Sequence, residues 1–235
     1  MYAQAQPHDP IAEIFPDVFL LRGSMRVGRG MRISRNMTLL RHDGKLAAIN
    51  AVRLSPAGEK QLESLGKVTH VIRLGNFHGL DDRYYVDRFG AKFWCQAESR
   101  HYSDPPPDQL LEDGVSLPVP DTDLFVFEYT RRPECALLVR RHEGILITCD
   151  SLQHWGDRRY CSILVRAMLP FIGFRRRTLI GPLWLKYMTP RDASLRADFE
   201  RLLQLPFSHL VNAHGSLLRD NAHAAASAAV RRAFS

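Results

Sequence analysis

Polar side chains with metal-binding chemistry follow an apolar run in the first third of the chain. Residues 68–74 read VTHVIRL, which predicts a buried strand, and the loop GNFHGLDD follows directly. Within seven residues this loop carries Asn76, His78, Asp81 and Asp82. Sites in α/β sheets collect at the carboxyl ends of strands. Imidazole and carboxylate groups converging there suit a divalent metal such as zinc, manganese or iron, so the loop predicts a metal site.

Two later segments deliver the same residue types after apolar runs. The segment ILITCD predicts a strand that ends in Asp150, and a carboxylate in that position must find a partner or water. The segment SHLVNAHG predicts a short strand that ends before His214 and Gly215. His214 is the strongest single candidate ligand, although a turn residue beside a glycine would give the same pattern. We therefore expect His78, Asp82, Asp150 and His214 to bind the metal.

Each candidate can also be explained by a structural role that involves neither metal binding nor catalysis. Asp81 and Asp82 can cap the helix that follows, since acids favour a first turn, and one of them is expected to do so. Asp82 is preferred as the ligand only slightly over Asp81, and Asp81 is a candidate proton acceptor. Asp150 could bridge two metals or orient a water.

Three further residues are weaker candidates. His154 and His101 could bind substrate or complete a metal shell, but each is more easily explained as an ordinary loop histidine. Glu134 is more often a solvated turn acid than a ligand. His70 lies within the central strand and is expected to face a neighbouring side chain.

Hairpins and crossover units alternate along the chain, which predicts mixed sheets with helices outside. The Asp-Gly pair in HDGK suits a tight hairpin turn. Ser55 and Pro56 begin a helix that ends before Gly66. The predicted strands cover 17–22, 36–41, 46–52, 68–74, 91–96, 124–129, 135–140, 145–148 and 208–212. The predicted helices cover 55–65, 82–89, 162–172 with a break near Pro170, 194–203 and 222–234, and 100–117 is a proline-bearing loop with room for one short helix.

This order and these motifs resemble the metallo-β-lactamase fold superfamily, whose signature loop is HxHxDH. The likeness covers nearly the whole chain, from PDVFLLRG through the hairpin and helix to VTHVI. It implies an α/β (α+β) fold, specifically a four-layer αββα sandwich. In the signature, Asn76 and His78 take the two histidine positions, and Asp81 or Asp82 takes the acid position.

The resemblance also assigns the later segments, with departures. Asp150 matches the acid that bridges or binds metal, and His214 matches the final ligand. Glu134 is the nearest ligand type where the family has its middle histidine, Asn50 replaces a family aspartate, and no histidine follows the acidic pair. The implied activity is hydrolysis of an ester, thioester, amide or phosphoester by metal-activated water. The alternative is a non-catalytic protein with a degraded site, with oxygen-rich ligation favouring iron or manganese over zinc, or no metal at all.

Composition limits the remaining classes. The 235 residues, 45% hydrophobic and 24% charged, suit a single domain over 1–235 with a loose arm at 1–12. The net charge of +7 is expected to reflect a solvated surface, because basic residues are spread along most of the chain; a nucleic-acid partner is not favoured.

Cysteine usage and the chain start point to a reducing compartment. Cys95, Cys135 and Cys149 lie in apolar runs, no CxxC pair occurs, and a cytoplasmic location is expected. Neither a signal peptide nor a membrane-spanning run is recognised. The substrate is expected to be a small molecule that the sequence does not identify. The sequence also leaves open whether the protein forms a homodimer.

One basic and apolar stretch has three readings. Residues 172–188 read IGFRRRTLIGPLWLKYM. A flap or dimer contact with outward arginines is expected. Contact with a membrane surface, or arginines that bind an anionic group of the substrate, are the alternatives.

Overall fold

A computed structural model describes residues 2–97 and 103–235, so His101 lies outside the described residues. The first sheet contains seven strands in these residues, and their order in space is their order in the chain. They are β1 (Ala12–Phe15), β2 (Val18–Gly28), β3 (Met31–His42), β4 (Lys45–Ile49), β5 (Lys67–Ile72), β6 (Lys92–Cys95) and β7 (Gln109–Leu110). Strands β1 to β4 pair antiparallel and β4 to β7 parallel, with helices α1 (Pro56–Leu65) and α2 (Asp82–Phe89) as crossovers.

The second sheet has the order β13-β10-β9-β8. Its strands are β8 (Thr122–Val126), β9 (Cys135–Val139), β10 (Ile145–Thr148) and β13 (His209–Asn212). Strands β11 (Leu152–His154) and β12 (Thr178–Ile180) form a separate antiparallel pair. The remaining helices are α3 (Ile163–Met168), α4 (Pro182–Met188), α5 (Arg196–Leu202) and α6 (Ala222–Ala233).

Alternating side chains bind these elements into four layers. On β10, Ile147 packs in the core between the two sheets together with Leu40 of β3, whereas Leu146 faces the opposite core with Phe199 of α5. On β3, Leu39 faces a third core that contains Leu62 of α1. Helices therefore cover the outer face of each sheet, and the predicted αββα arrangement is confirmed.

Several predicted boundaries hold because the local signals are physical ones. Ser55 Oγ accepts a hydrogen bond from the Gly58 amide and caps α1, with Pro56 in the first turn. Helix α2 covers the predicted residues 82–89 and ends at Gly90, whose φ of 62° is the left-handed conformation that glycine favours. All four cysteines are buried and free, as expected for the three in apolar runs.

Other predicted elements are shorter than expected. Strand β8 stops at Val126. The Phe127 amide still donates to the Glu134 carbonyl at 3.1 Å, but the amides of Glu128 and Tyr129 donate to the carboxylate of Asp198, each at 2.9 Å. Helix α3 ends at Met168, shortly before Pro170. Residues 103–117 contain the short strand β7 and no helix. Within the described residues, no helix combines the length and apolarity needed to cross a bilayer.

Candidate metal centre

The loop after β5 is held tightly between the two sheets and presents His78. The Leu74 amide donates to Asn50 Oδ1 at 3.2 Å, and Gly75 forms a bridge with Glu134. A Cβ on Gly75 would lie 2.5 Å from Cys149 Sγ, so only glycine allows this close approach. The loop then turns, and His78 is only 6% exposed.

Asp150 and His214 reach the same place from two parallel neighbours. Strands β10 and β13 pair in parallel, with Thr148 opposite Asn212, so both chains leave the sheet at the same edge. Asp150 and His214 each lie two residues beyond that pair. Gly215 has φ of 85°, and a Cβ there would lie against the His154 carbonyl, so the turn after His214 also requires glycine.

His78, Asp150 and His214 meet in one buried cluster. The two imidazole Nε2 atoms lie 3.1 Å apart, and Asp150 places Oδ2 3.4 Å from His78 Nε2 and Oδ1 3.2 Å from His214 Nε2. A tetrahedral zinc with ligands at 2.0–2.1 Å separates neighbouring ligand atoms by about 3.3 Å. The spacing of these three side chains therefore fits a metal ion.

Neighbouring groups fix the orientation of two of these side chains. His214 Nδ1 lies within hydrogen-bond distance of the Ser34 carbonyl, and this bond requires the proton on Nδ1 and leaves the Nε2 lone pair facing the cluster. Gln153 Nε2 donates to Asp150 Oδ1 at 3.3 Å. Such outer contacts hold ligands in place for a metal.

The protonation states in the cluster also suit a cation. Burial lowers the pKa of His78, against the attraction of Asp150, so its ring is neutral at pH 7. Burial opposes ionisation of Asp150, but the two histidines outweigh it and hold the pKa of that carboxyl below its usual range. A charged carboxylate beside the neutral imidazole of His78 is the form in which these two groups bind metal.

Asp81 and Asp82 do not join this cluster, contrary to the sequence-based expectation for Asp82 as a ligand and Asp81 as a proton acceptor. The Asp81 carboxylate lies 3.1 Å from Arg35 Nη1 and accepts the Arg53 amide at 3.0 Å. The Asp82 carboxylate lies 3.5 Å from Arg73 Nη1. The loop has one residue more than the signature, and both acids turn toward buried arginines.

Glu134 is fully buried, so the expectation of a solvated turn acid is wrong. Its Oε1 accepts the Asp150 amide at 3.4 Å. Burial, and then the Asp150 charge, raise the pKa of the Glu134 carboxyl well above its usual value. It lies beside the cluster without belonging to it. The Asn76 amide is buried and its side-chain atoms have no hydrogen-bond partner among the described residues.

The other candidate histidines have separate partners. His154 Nδ1 pairs with Thr178 Oγ1 at 2.9 Å, and the side chain is outside the cluster. His70 Nδ1 accepts the Trp94 indole N–H at 2.9 Å, as expected for a strand residue facing a neighbour.

A largely apolar cavity of about 270 Å³ opens beside Asp150 and His214. Gln153 is a further polar residue in its wall. The rest of the wall is aromatic or aliphatic: Ile33, Phe77, Trp155, Phe174, Leu183, Trp184 and Tyr187. A ligand in this cavity would contact apolar side chains along most of its surface and two residues of the cluster at one end.

Solved structures with the same architecture cover nearly the whole chain. The metallo-β-lactamase DIM-1 is similar at 9% identity and a TM-score of 0.66, covering 97% of this chain and 100% of that one. The mono-zinc form of the metallo-β-lactamase FIM-1 from Pseudomonas aeruginosa is similar at 10% identity and 0.64, covering 96% of each chain. The chain has the metallo-β-lactamase fold. A mutant flavo di-iron protein from Thermotoga maritima is also similar, at 15% identity and 0.66, covering 96% of this chain and 62% of that one.

The sequence itself gives no closer match. No protein-family model and no curated protein matches it. At these identities the metallo-β-lactamase fold is what the solved structures share with the chain. The chemistry has to be argued from its own site residues.

Proposed function

We propose that the protein is a metal-dependent hydrolase that holds one divalent metal through His78, Asp150 and His214. The observation that carries this proposal is the mutual spacing of 3.1–3.4 Å between two imidazole nitrogens and a carboxylate, at the end of an apolar cavity. Three protein ligands with an open position are typical of catalytic metal sites.

The donor set narrows the choice of metal. Two histidines and one carboxylate are the ligands of catalytic zinc in one class of peptidases and of non-haem iron(II) in another class of enzymes. Zinc or iron(II) therefore fits this site better than a metal that prefers oxygen ligands alone. A metal bound there supplies a Lewis acid that lowers the pKa of water toward neutrality and polarises the substrate's oxygen.

The surrounding residues have separate roles in this proposal. Gln153 and Ser34 position Asp150 and His214. Glu134, whose carboxyl accepts the Asp150 amide, holds the second sheet's edge against the loop that carries His78. The apolar wall excludes water from the cavity around the bound substrate. Electrostatic interactions at the reacting bond are stronger when water is excluded.

The cavity also suggests what the substrate carries. Its volume of about 270 Å³ lies near the lower end of the range for small-molecule pockets, roughly 300–1,000 Å³. We therefore propose an ester, thioester, amide or phosphoester with an apolar acyl or aryl group. Aromatic walls and few polar groups are typical of sites for such ligands.

Metal analysis and ester hydrolysis on the same preparations test this proposal. Protein purified without added metal is titrated with zinc and with iron(II) under anaerobic conditions, and hydrolysis of p-nitrophenyl esters is followed. We expect one equivalent of metal and activity that chelation removes and metal restores. His78→Ala and Asp150→Ala should lose both properties, whereas the matched variant His154→Ala should keep both.

A non-catalytic protein with a degraded site is the second candidate. It is favoured by the pairing of Asp81 and Asp82 with arginines, which leaves only three metal ligands in the described residues. Metal uptake without hydrolysis of any ester, amide or phosphoester would support this candidate. Absence of uptake in both titrations would remove the hydrolase proposal.

A further inference from the structure

One long segment of the chain carries basic residues and no acids. Between Asp157 and Asp192 the sequence contains eight basic residues and no acidic residue. The whole chain has a net charge of +7, so the rest of it is close to neutral. A second run without acids, residues 18–42, contains six arginines, so the expectation that the net charge reflects a general solvated surface stays a prediction.

The segment between Asp157 and Asp192 also exposes large apolar side chains. Ile163 is 86% exposed and Phe171 is 90% exposed, and Leu164, Met168 and Ile172 are also exposed. They lie on α3 and the turn after it. Contiguous apolar exposure of this kind marks an interaction site in a water-soluble domain.

The opposite side of α3 is packed against the rest of the protein, so α3 is firmly attached although its outer side chains are exposed. Val165 and Leu169 are buried with Trp155 and Phe174 in a small separate core. Trp155 and Phe174 also form part of the cavity wall. The segment is therefore anchored by one face and free on the other.

Arginines flank the apolar side chains and no carboxylate neutralises them. Arg166, Arg175, Arg176 and Arg177 are exposed, and in the described residues none forms an ion pair with an acid. The Arg176 guanidinium donates to the Gly156 carbonyl at 2.7 Å, which holds the side chain in place and leaves its charge intact. We call residues 163–177 the basic apolar face.

We infer that the basic apolar face binds the surface of an anionic lipid bilayer. Apolar side chains enter the boundary between headgroups and acyl chains, and the arginines pair with anionic headgroups. A second copy of the chain is a poorer occupant. Symmetric dimers bring the same patch of each copy together, and four arginines would then face four arginines without an intervening acid.

Vesicle sedimentation tests the inference with the full chain. Vesicles of phosphatidylcholine alone are compared with vesicles that also contain phosphatidylglycerol. We expect binding to the mixed vesicles, weaker binding to neutral ones, and release as salt rises. Arg175→Gln with Arg176→Gln should weaken the partition coefficient roughly 25-fold, at about fivefold per arginine. Ile163→Ser with Phe171→Ser should weaken it by roughly tenfold or more.

Matched controls carry the same changes on other exposed positions. Tyr2→Ser with Tyr129→Ser removes exposed apolar groups elsewhere, and Lys45→Gln with Lys60→Gln removes exposed basic side chains outside the face. These variants should bind vesicles like the unchanged protein. Thermal melting of every variant verifies that it is folded.

Three results would overturn the inference. The first is the absence of sedimentation with mixed vesicles, and the second is equal binding to neutral and anionic vesicles. The third is a dimer that the Ile163→Ser, Phe171→Ser variant dissociates while no form binds vesicles, which would make this face a contact between copies. None of these measurements depends on hydrolysis, so the inference and the proposed function fail separately.

Discussion

The Arg35 guanidinium lies 3.1 Å from the Asp81 carboxylate, and the two side chains are 2% and 4% exposed. Arg35 belongs to β3 and Asp81 to the N-terminal cap of α2, so this pair joins the first sheet to the loop that carries His78. Arg35 also donates to the Ala51 carbonyl at 2.8 Å. The Asp81 carboxylate is thus paired with a fixed guanidinium, which explains why it does not bind a metal beside His78.

Replacing Asp81 with Asn should destabilise the protein without removing metal. The change leaves the Arg35 charge buried and unpaired, which costs about 3–5 kcal/mol in the free energy of unfolding. Arg35→Met should cost a similar amount, and the double variant less than the sum, because neither charge is then left alone. Urea unfolding measures these differences. If Asp81→Asn bound no metal while remaining folded, Asp81 would be a ligand after all.

His214→Ala should reduce bound metal without unfolding the protein. Two of the three ligands would stay, and the loss of one nitrogen ligand weakens binding by a large factor in sites held by so few protein atoms. Metal content by mass spectrometry and the melting temperature are measured on the same sample. The control is His154→Ala, a histidine on the neighbouring strand and outside the cluster. Unchanged metal stoichiometry in His214→Ala would contradict the assignment of this ligand.

The architecture could be predicted because local signals agree with it. Ser55, the Asp-Gly turn and Gly66 each define a boundary through their own backbone chemistry, and these boundaries hold. His78, Asp150 and His214 could be predicted as neighbours because each follows an apolar strand. The parallel register of β10 and β13 then determines that the last two meet.

The partners of the acidic pair could not be predicted from the loop alone. Arg35 and Arg73 each lie within apolar runs, ISRNMTLL and THVIRL, and an arginine buried in a strand must find a partner. Which acid each arginine meets depends on strand order and helix direction, and on these the sequence pattern is silent. The burial of Glu134 could not be predicted for the same reason, since it follows from contact between distant segments.

Asp82 should make stability fall as the pH rises. Burial raises the pKa of Asp82 from its usual value of 3.8 to about 6, against the opposing effect of Arg73. Between these values the folded protein holds a proton that the unfolded chain has released. The contribution is present below about pH 4 and lost as the pH rises through 6, amounting to about 3 kcal/mol.

Comparison with Asp82→Asn isolates this contribution, since Asn cannot titrate. Urea unfolding from pH 4 to pH 7 should show the unchanged protein losing stability relative to the variant across that window. A constant difference would mean that the buried carboxyl titrates at its usual value. A difference of the opposite sign would mean that pairing with Arg73 outweighs burial.

Narrowing the cavity should change which esters the protein hydrolyses. Ile33 lies in the cavity wall, and Ile33→Trp adds volume there without touching the three ligands. The acyl group of a long ester would then have to leave the apolar site, losing roughly 0.8 kcal/mol per methylene no longer buried. For p-nitrophenyl esters from acetate to decanoate, kcat/KM should rise with chain length in the unchanged protein. In Ile33→Trp the rise should stop early, while the value for acetate stays within about twofold, since an acetyl group does not reach the altered wall.

The control Val27→Trp adds the same side chain at an exposed position of β2, away from the cavity, and should leave the whole series unchanged. A flat series in the unchanged protein, with measurable hydrolysis, would contradict the apolar substrate class and leave the metal site standing.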